Sequence, residues 1–68
     1  MDVREVLSRN LKRVRQLRGL SQEELAFRSE LHRTYVSGVE RGIRNPSIMI
    51  LQRMAAALDV QVWELLKD

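Results

Sequence analysis

Apolar residues recur at helical spacing along most of the chain, and this pattern predicts helices rather than strands. In residues 3–18 they fall at every third or fourth position: Val3, Val6, Leu7, Leu11, Val14 and Leu17. Gly19 follows, and glycine is the usual residue just past a helix end. Basic residues fill much of the opposite face, so the first helix is predicted to bury one side only.

A second, shorter helix is predicted over residues 22–29. Ser21 and Glu24 have the spacing of a capping box, in which each side chain bonds the free backbone N–H of the other residue. Leu25 and Ala26 form its predicted inner side, and the small alanine suits a close approach of two helices. The link that follows is short enough to require a sharp reversal of the chain.

Residues 31–42 form the third predicted helix, which has an unusual outer face. Val36 and Val39 lie on its inner side at helical spacing, and the aliphatic part of Tyr35 lies beside them. The outer side carries arginines and small hydroxyl groups: Arg33, Thr34, Ser37 and Arg41. Solvated helix faces more often carry Glu and Lys, so this face indicates contact with a polar, shallow and negatively charged partner.

Two further helices are predicted after a loop rich in turn residues. Ser47 is placed to cap a fourth helix ending at about Leu58. Its residues at core spacing are Ile48, Leu51, Met54, Ala55 and Leu58. A short fifth helix is predicted from the spacing of Val60, Val62, Leu65 and Leu66. Five helices joined by short loops predict a compact all-α domain whose neighbouring helices cross at steep angles.

Composition limits the kinds of function that this fold could have. The 68 residues fit one small domain, residues 1–68, and fractions of 44% hydrophobic and 31% charged are typical of a soluble folded protein. Cysteine is absent and His32 is the only histidine, so we expect no metal and no cofactor. No nucleophile has a base placed to activate it, so we expect no enzymatic activity. Without a long apolar run, we expect no membrane segment and a cytoplasmic location.

The net charge of +3 is distributed unevenly along the chain. Residues 1–46 contain ten Lys and Arg against six acidic residues, whereas residues 47–68 contain two against three. This asymmetry suits a first part that binds a polyanion and a last part that packs. The alternative is that the charges merely cover exposed helix faces.

Two short helices joined by a tight turn, with an Arg/Thr/Ser face on the second, describe a helix-turn-helix at about residues 21–41. The motifs that fill it are Leu-Ser-Gln-Glu-Glu-Leu-Ala at 20–26, Val-Glu-Arg-Gly at 39–42, Asn-Pro-Ser at 45–47 and Ala-Ala-Ala-Leu-Asp-Val at 55–60. Over about residues 6–66 the chain resembles the XRE-type helix-turn-helix domains of lambdoid phage repressors and Cro proteins. His-Arg-Thr-Tyr at 32–35, with Glu-Arg-Gly-x-Arg-Asn at 40–45, is most similar to the controller proteins of restriction–modification systems.

The resemblance implies a lambda-repressor-like fold and a transcriptional regulator that binds double-stranded DNA through its third helix. It implies base contacts for Arg33, Thr34 and Ser37. It implies phosphate or sugar contacts for Gln22, Tyr35, Arg44, Asn45 and Ser47. For Tyr35, half-buried packing is the alternative. Arg15 and Glu40 match a buried ion pair that joins the first helix to the end of the third.

Two residues depart from the family's pattern. The turn between the two helices usually has a left-handed glycine, and Glu30 stands there at a cost on the order of 1 kcal/mol. Gly38 lies inside the recognition helix, where it costs about 0.8–1.0 kcal/mol relative to alanine. We expect Gly38 to be an exposed position without a special role. The alternative is that it keeps the helix surface low, so that the backbone approaches the DNA groove.

The last two helices carry more apolar surface than so small a core should absorb. The residues concerned are Met49, Ile50, Val62, Trp63 and Leu66. They could be ordinary core residues, but we favour a homodimer face within residues 47–67. A two-fold dimer implies a near-palindromic operator. We expect no small-molecule effector. A competing hypothesis is a protein-interaction module, an antitoxin or adaptor whose apolar face binds another protein.

Overall fold

A computed structural model describes residues 2–68 of the chain, and within these residues it contains five α-helices and no strand. The helices are α1 (Val3–Leu17), α2 (Gln22–Ser29), α3 (Arg33–Glu40), α4 (Ile48–Leu58) and α5 (Val62–Leu66). The prediction of a five-helix, all-α fold is confirmed.

Two helices are shorter than their apolar spacing suggests. His32 is the N-cap of α3 and Arg41 its C-cap, so the helix itself has only 8 of the residues predicted for it. Gln61 is the N-cap of α5, which leaves Val60 outside that helix. Val60 still packs against the core, because the chain just before α5 lies on the core as well. Apolar spacing thus identified Val60 as a core contact correctly but placed the ends of α3 and α5 less well.

The five helices surround one core within dimensions of 30 × 21 × 21 Å. α1 packs against α3 and α5, α2 packs against α3 and α4, and α4 also contacts α5. Every helix contributes to the enclosed side chains, which include Leu11, Leu25, Val36, Met54, Leu58 and Leu65. α3 is therefore supported by α1 and α2 on its inner side, and its outer side faces solvent.

Three apolar residues that periodicity assigns to buried faces are exposed instead. Val3 is 64% exposed, Leu17 is 73% exposed and Ile48 is 58% exposed. Each is the first or last residue of its helix. Helical periodicity shows on which face of a helix a residue lies. It does not show whether a neighbouring helix extends far enough to cover that face at its ends. The prediction of core positions is wrong at these helix ends.

The sharp turn after α2 is stabilised by a residue from α4. Glu30 has a φ of 59°, in the left-handed region that side chains other than glycine rarely adopt. Arg53 donates hydrogen bonds to the carbonyl oxygens of Ser29 and Glu30, at 3.0 and 2.7 Å. These carbonyls lie at a helix C-terminus, where oxygens lack helical partners and carry partial negative charge. An arginine thus holds the turn in the place where a glycine is usual.

The ends of α4 and α5 are stabilised in the same way by residues of α1 and the segment after it. Asp59 also has a φ of 59°, and Arg18 donates to the carbonyl oxygens of Leu58 and Asp59 at 2.8 and 3.3 Å. The buried Asn10 donates through Nδ2 to the carbonyl oxygen of Leu65 at 3.0 Å. Side chains distant in sequence therefore bond the terminal carbonyl groups of α2, α4 and α5.

Candidate nucleic-acid interface

The start of α2 is fixed by the predicted capping box, which is confirmed. The Ser21 hydroxyl accepts from the Glu24 backbone N–H at 3.0 Å, and the Glu24 carboxylate accepts from the Ser21 N–H at 3.0 Å. The bond from the Ser21 N–H lowers the pKa of the Glu24 carboxyl group below its usual value. The ionised form thus strengthens the cap and sets the point at which α2 begins.

A buried ion pair joins α1 to the end of α3. Arg15 Nε lies 2.6 Å from Glu40 Oε2, and Arg15 Nη2 donates to Oε1 at 3.0 Å. The Arg15 and Glu40 side chains are only 10% and 3% exposed. Arg15 Nη1 also donates to the carbonyl oxygen of Leu20, at 2.8 Å. The hydrogen bond with Glu40 raises the pKa of Arg15, and burial opposes this shift.

Gln22, a predicted phosphate contact, belongs to this network. Its Nε2 donates to Glu40 Oε1 at 3.0 Å, and the residue is half-buried. One N–H of the side-chain amide is therefore used by Glu40, which leaves the second N–H, the amide oxygen and the backbone N–H groups at the start of α2 for a phosphate. Glu40 therefore connects three helices, because it accepts from both Arg15 of α1 and Gln22 of α2.

The outer face of α3 brings the predicted base-contacting residues together. Arg33 and Thr34 are exposed, Ser37 is half-buried, and all three border a shallow cleft with Gln22 and Arg41. Arg41 Nε donates to the carbonyl oxygen of Ser37 at 3.4 Å. Sequence reasoning placed Arg41 on this face without giving it a contact. Arg41 follows Ser37 by four residues, and this spacing places the two side chains next to each other on a helix. It would have identified Arg41 as a further candidate DNA contact.

Tyr35 and Arg44 lie together at the edge of this face. Tyr35 is half-buried and packs against the core, whereas Arg44 is exposed. Arg44 Cζ lies 6.0 Å from the centroid of the Tyr35 ring, within the range of a cation–π interaction. Asn45 is exposed beside them. Ser47 accepts from the Ile50 N–H at 3.2 Å, so its hydroxyl caps α4 as predicted.

Gly38 is buried, so the expectation that it occupies an exposed position is wrong. Its carbonyl oxygen accepts from the backbone N–H groups of Ile43 and Arg44, at 3.0 and 3.2 Å. The chain can fold back in this way because Gly42 has a φ of 75°, which glycine adopts without strain. The returning loop then covers the helix at Gly38.

The predicted dimer-face residues fall into two groups. Ile50, Val62 and Leu66 are partly buried and pack against the core. Met49 is 67% exposed and Trp63 is 60% exposed, and the exposed Ile48 adjoins Met49 in sequence. Lys67 Nζ lies 5.4 Å from the centroid of the Trp63 ring. Ile50, Val62 and Leu66 are therefore core residues, whereas Met49 and Trp63 are exposed and their place in a dimer face stays a prediction.

Within residues 2–68, no three histidine, cysteine or acidic side chains are grouped so that they could hold a metal ion. None of the helices described is both long enough and apolar enough to cross a membrane.

Comparison with known proteins identifies the family. A helix-turn-helix family model matches residues 11–64. Control protein C.SmaI of Serratia marcescens is 46% identical over 66 residues, which are 97% of this chain and 79% of that protein. The crystal structure of the restriction–modification controller protein C.AhdI from Aeromonas hydrophila superposes with a TM-score of 0.89 at 47% identity, covering 91% of this chain and 94% of that one. The hypothetical transcription factor NHTF from Neisseria gives a TM-score of 0.92 at 48% identity, over 96% and 75% of the two chains.

These similarities confirm the resemblance to XRE-type domains, and with it the expectation of a regulator rather than an enzyme. The chain belongs to the XRE-type helix-turn-helix family of DNA-binding transcriptional regulators.

Proposed function

We propose that this protein binds a specific, near-palindromic operator as a homodimer, with the outer face of α3 in the major groove, and thereby regulates transcription in the cytoplasm. The observation that carries the proposal is the grouping of Arg33, Thr34, Ser37 and Arg41 on the one face of α3 that no other helix covers. A B-form major groove admits an α-helix, and each base pair presents a distinct set of donors and acceptors there.

Base recognition is assigned mainly to Arg33. Its exposed guanidinium can donate two hydrogen bonds to O6 and N7 of a guanine, which is worth ~1–3 kcal/mol against a wrong base. Thr34 and Ser37 add hydroxyl groups that can donate or accept a hydrogen bond, so they can bond with more than one kind of base. The Arg15–Glu40 ion pair lies beneath this face and fixes the angle at which α3 is presented.

Phosphate contacts are assigned to both sides of α3. On one side, the N-terminus of α2 at Gln22 offers backbone N–H groups and the positive end of the helix dipole. On the other side, Tyr35, Arg44, Asn45 and Ser47 follow the sugar–phosphate backbone. Contacts of this kind set the register of the protein on DNA without reading sequence.

The homodimer is assigned to the exposed apolar side chains of α4 and α5. Met49 and Trp63 leave large apolar surfaces in water, which association with a second copy would bury. Two-fold symmetry would then place the two α3 helices about 34 Å apart, one turn of DNA. This spacing is the reason for proposing a near-palindromic operator.

The test is selection of binding sites from random duplex DNA, followed by affinity measurements over a range of salt concentrations. We expect a near-palindromic site and an affinity that falls steeply with salt, since several phosphates are neutralised. Arg33→Ala should relax the preference at one base pair of each half-site. Arg44→Ala, the matched arginine change, should weaken all sequences to a similar extent.

Binding without sequence preference, or binding that does not respond to salt, would contradict the proposal. Such a result would favour the protein-interaction module, which needs none of the polar residues on the outer face of α3.

A further inference from the structure

We infer that Gly38 is a positioning residue for DNA binding: by lacking a side chain it provides a seat in which Arg44 is held against Tyr35. We call the surface formed by Gly38 and Tyr35 the arginine seat. The inference rests on the proposed function, because it concerns how one of the proposed phosphate contacts is oriented.

The steric observation is that the Arg44 side chain occupies the space where a side chain at residue 38 would lie. A Cβ atom added at Gly38 would stand 2.5 Å from Arg44 Cγ, 3.4 Å from its Nε and 3.5 Å from its Cδ. The shortest of these distances is far inside van der Waals contact. Cγ lies near the base of the arginine, so a small movement of the guanidinium would not relieve the clash.

The backbone prevents the loop from moving aside as a unit. The N–H groups of Ile43 and Arg44 both bond the carbonyl oxygen of Gly38, at 3.0 and 3.2 Å. The backbone of Arg44 is thus hydrogen-bonded to Gly38, the residue that its side chain covers. Any side chain at position 38 must therefore either break these bonds or turn the arginine into another rotamer.

Tyr35 forms the second wall of the arginine seat. It lies one helical turn before Gly38 on α3, and Arg44 Cζ lies 6.0 Å from its ring centroid. Arginine stacks well on aromatic faces because its guanidinium is planar and weakly hydrated. Tyr35 is itself held by packing against the core, so the wall is rigid.

The consequence for DNA binding is preorganisation of Arg44. An arginine that rotates freely loses rotamer freedom when it binds a phosphate, whereas one already held in place loses less. Glycine is the poorest helix former after proline, yet it occupies the interior of the 8-residue α3. Holding Arg44 beside the recognition helix explains why alanine would not serve there.

The first arm of the test examines the seat without DNA. In the wild-type protein, NMR should show a strong NOE between Gly38 Hα and Arg44 Hγ, because these groups are in contact. In Tyr35→Leu, this NOE should weaken as the arginine loses its second wall. Absence of the NOE in the folded wild-type protein would overturn the inference whatever the outcome with DNA.

The second arm uses the duplex selected from random DNA by the wild-type protein. Gly38→Ala should weaken binding about two- to tenfold, the cost of immobilising one flexible side chain. The double variant Gly38→Ala/Arg44→Ala should bind no more weakly than Arg44→Ala alone, because the glycine acts through the arginine. Wild-type affinity for Gly38→Ala, or additive losses in the double variant, would overturn the inference.

Circular dichroism and thermal melting accompany each variant to confirm folding. If Gly38→Ala does not fold, Tyr35→Leu is compared with Tyr35→Phe, which keeps the ring and lacks the hydroxyl, both with and without Arg44→Ala. A difference in affinity that disappears without the arginine supports the seat, and one that persists overturns it. A wild-type protein that selects no duplex would defeat the proposed function, and the NOE would then decide the seat by itself.

Discussion

At the scale of single residues, the greatest constraint lies on Glu40. Its carboxylate accepts from Arg15 Nε and Nη2 and from Gln22 Nε2 while its side chain is only 3% exposed. The family pattern indicated the pair with Arg15, but nothing in the sequence indicated the bond from Gln22. That bond depends on how α2 and α3 cross, which residue identities alone do not specify.

Glu40→Gln should lower the free energy of unfolding by about 3–5 kcal/mol, because it leaves the buried Arg15 guanidinium without a charged partner. This is a large part of the ~5–15 kcal/mol typical of small domains. Urea denaturation and thermal melting would measure the loss. Glu5→Gln is the matched control, since Glu5 is exposed in the first turn of α1; it should lower stability by less than about 1 kcal/mol, the contribution of a negative charge at a helix N-terminus. Equal melting temperatures for Glu40→Gln and the wild type would contradict this prediction.

Gly38 shows why helical spacing alone does not predict burial. Helical spacing placed it on α3 correctly, but its burial depends on residues 41–45 folding back over that helix. The chemical cause of the return was visible, because Gly42 is a strong helix terminator. What the sequence did not specify was the direction of the loop, and therefore the contact between Arg44 and Gly38.

At the scale of elements, the sequence predicts the helices themselves but not the hydrogen bonds that join one helix to another. The period of Leu7, Leu11 and Val14, and the caps at Ser21 and Ser47, are local signals that operate within a few residues. The hydrogen bonds from Arg53 to the end of α2 and from Arg18 to the end of α4 join residues 23 and 40 positions apart. In the sequence these arginines look like ordinary solvated charges.

Glu30→Gly should stabilise the helix-turn-helix by about 0.5–1 kcal/mol. Relief of the left-handed conformation, ~1–2 kcal/mol, exceeds the extra chain entropy that glycine loses on folding, ~0.5–1 kcal/mol. The bonds from Arg53 are retained, because they use backbone carbonyl oxygens. The urea midpoint provides the measurement.

Asp59→Gly is the comparison for this change, since Asp59 has the same φ of 59°. Its gain should be smaller, because a short aspartate tolerates the left-handed region better than glutamate does. A destabilised Glu30→Gly would show that the Glu30 side chain itself supports the turn.

At the scale of the whole molecule, basic charge is concentrated in the first part of the chain, whereas exposed apolar side chains occur in both parts. Ten of the twelve basic residues precede residue 47, and they include all those assigned to DNA. The exposed apolar residues Ile48, Met49 and Trp63 belong to α4 and α5. The sequence predicted the uneven distribution of basic residues. Which apolar residues of α4 and α5 stay exposed depends on how the core is assembled from residues such as Leu51, Met54 and Leu65.

Trp63→Ala should weaken dimerisation while the monomer stays folded, because Trp63 is the largest exposed side chain in the proposed interface. Interface tryptophans commonly contribute at least ~2 kcal/mol, which corresponds to dimerisation weakened about thirtyfold. Sedimentation equilibrium would measure the association constant, and circular dichroism would confirm the fold. A monomer should also lose affinity for the full palindrome while keeping its weaker affinity for a half-site.

Phe27→Ala is the matched control for the interface, since Phe27 is an aromatic residue that is 84% exposed on α2, outside the proposed interface. It should leave the association constant unchanged. If both variants weaken association equally, loss of apolar surface in general is responsible and the interface is not specific to α4 and α5. If the wild-type protein is monomeric even on the selected operator, the exposed tryptophan does not mediate contact between copies of this chain, and the explanation for a palindromic site fails with it.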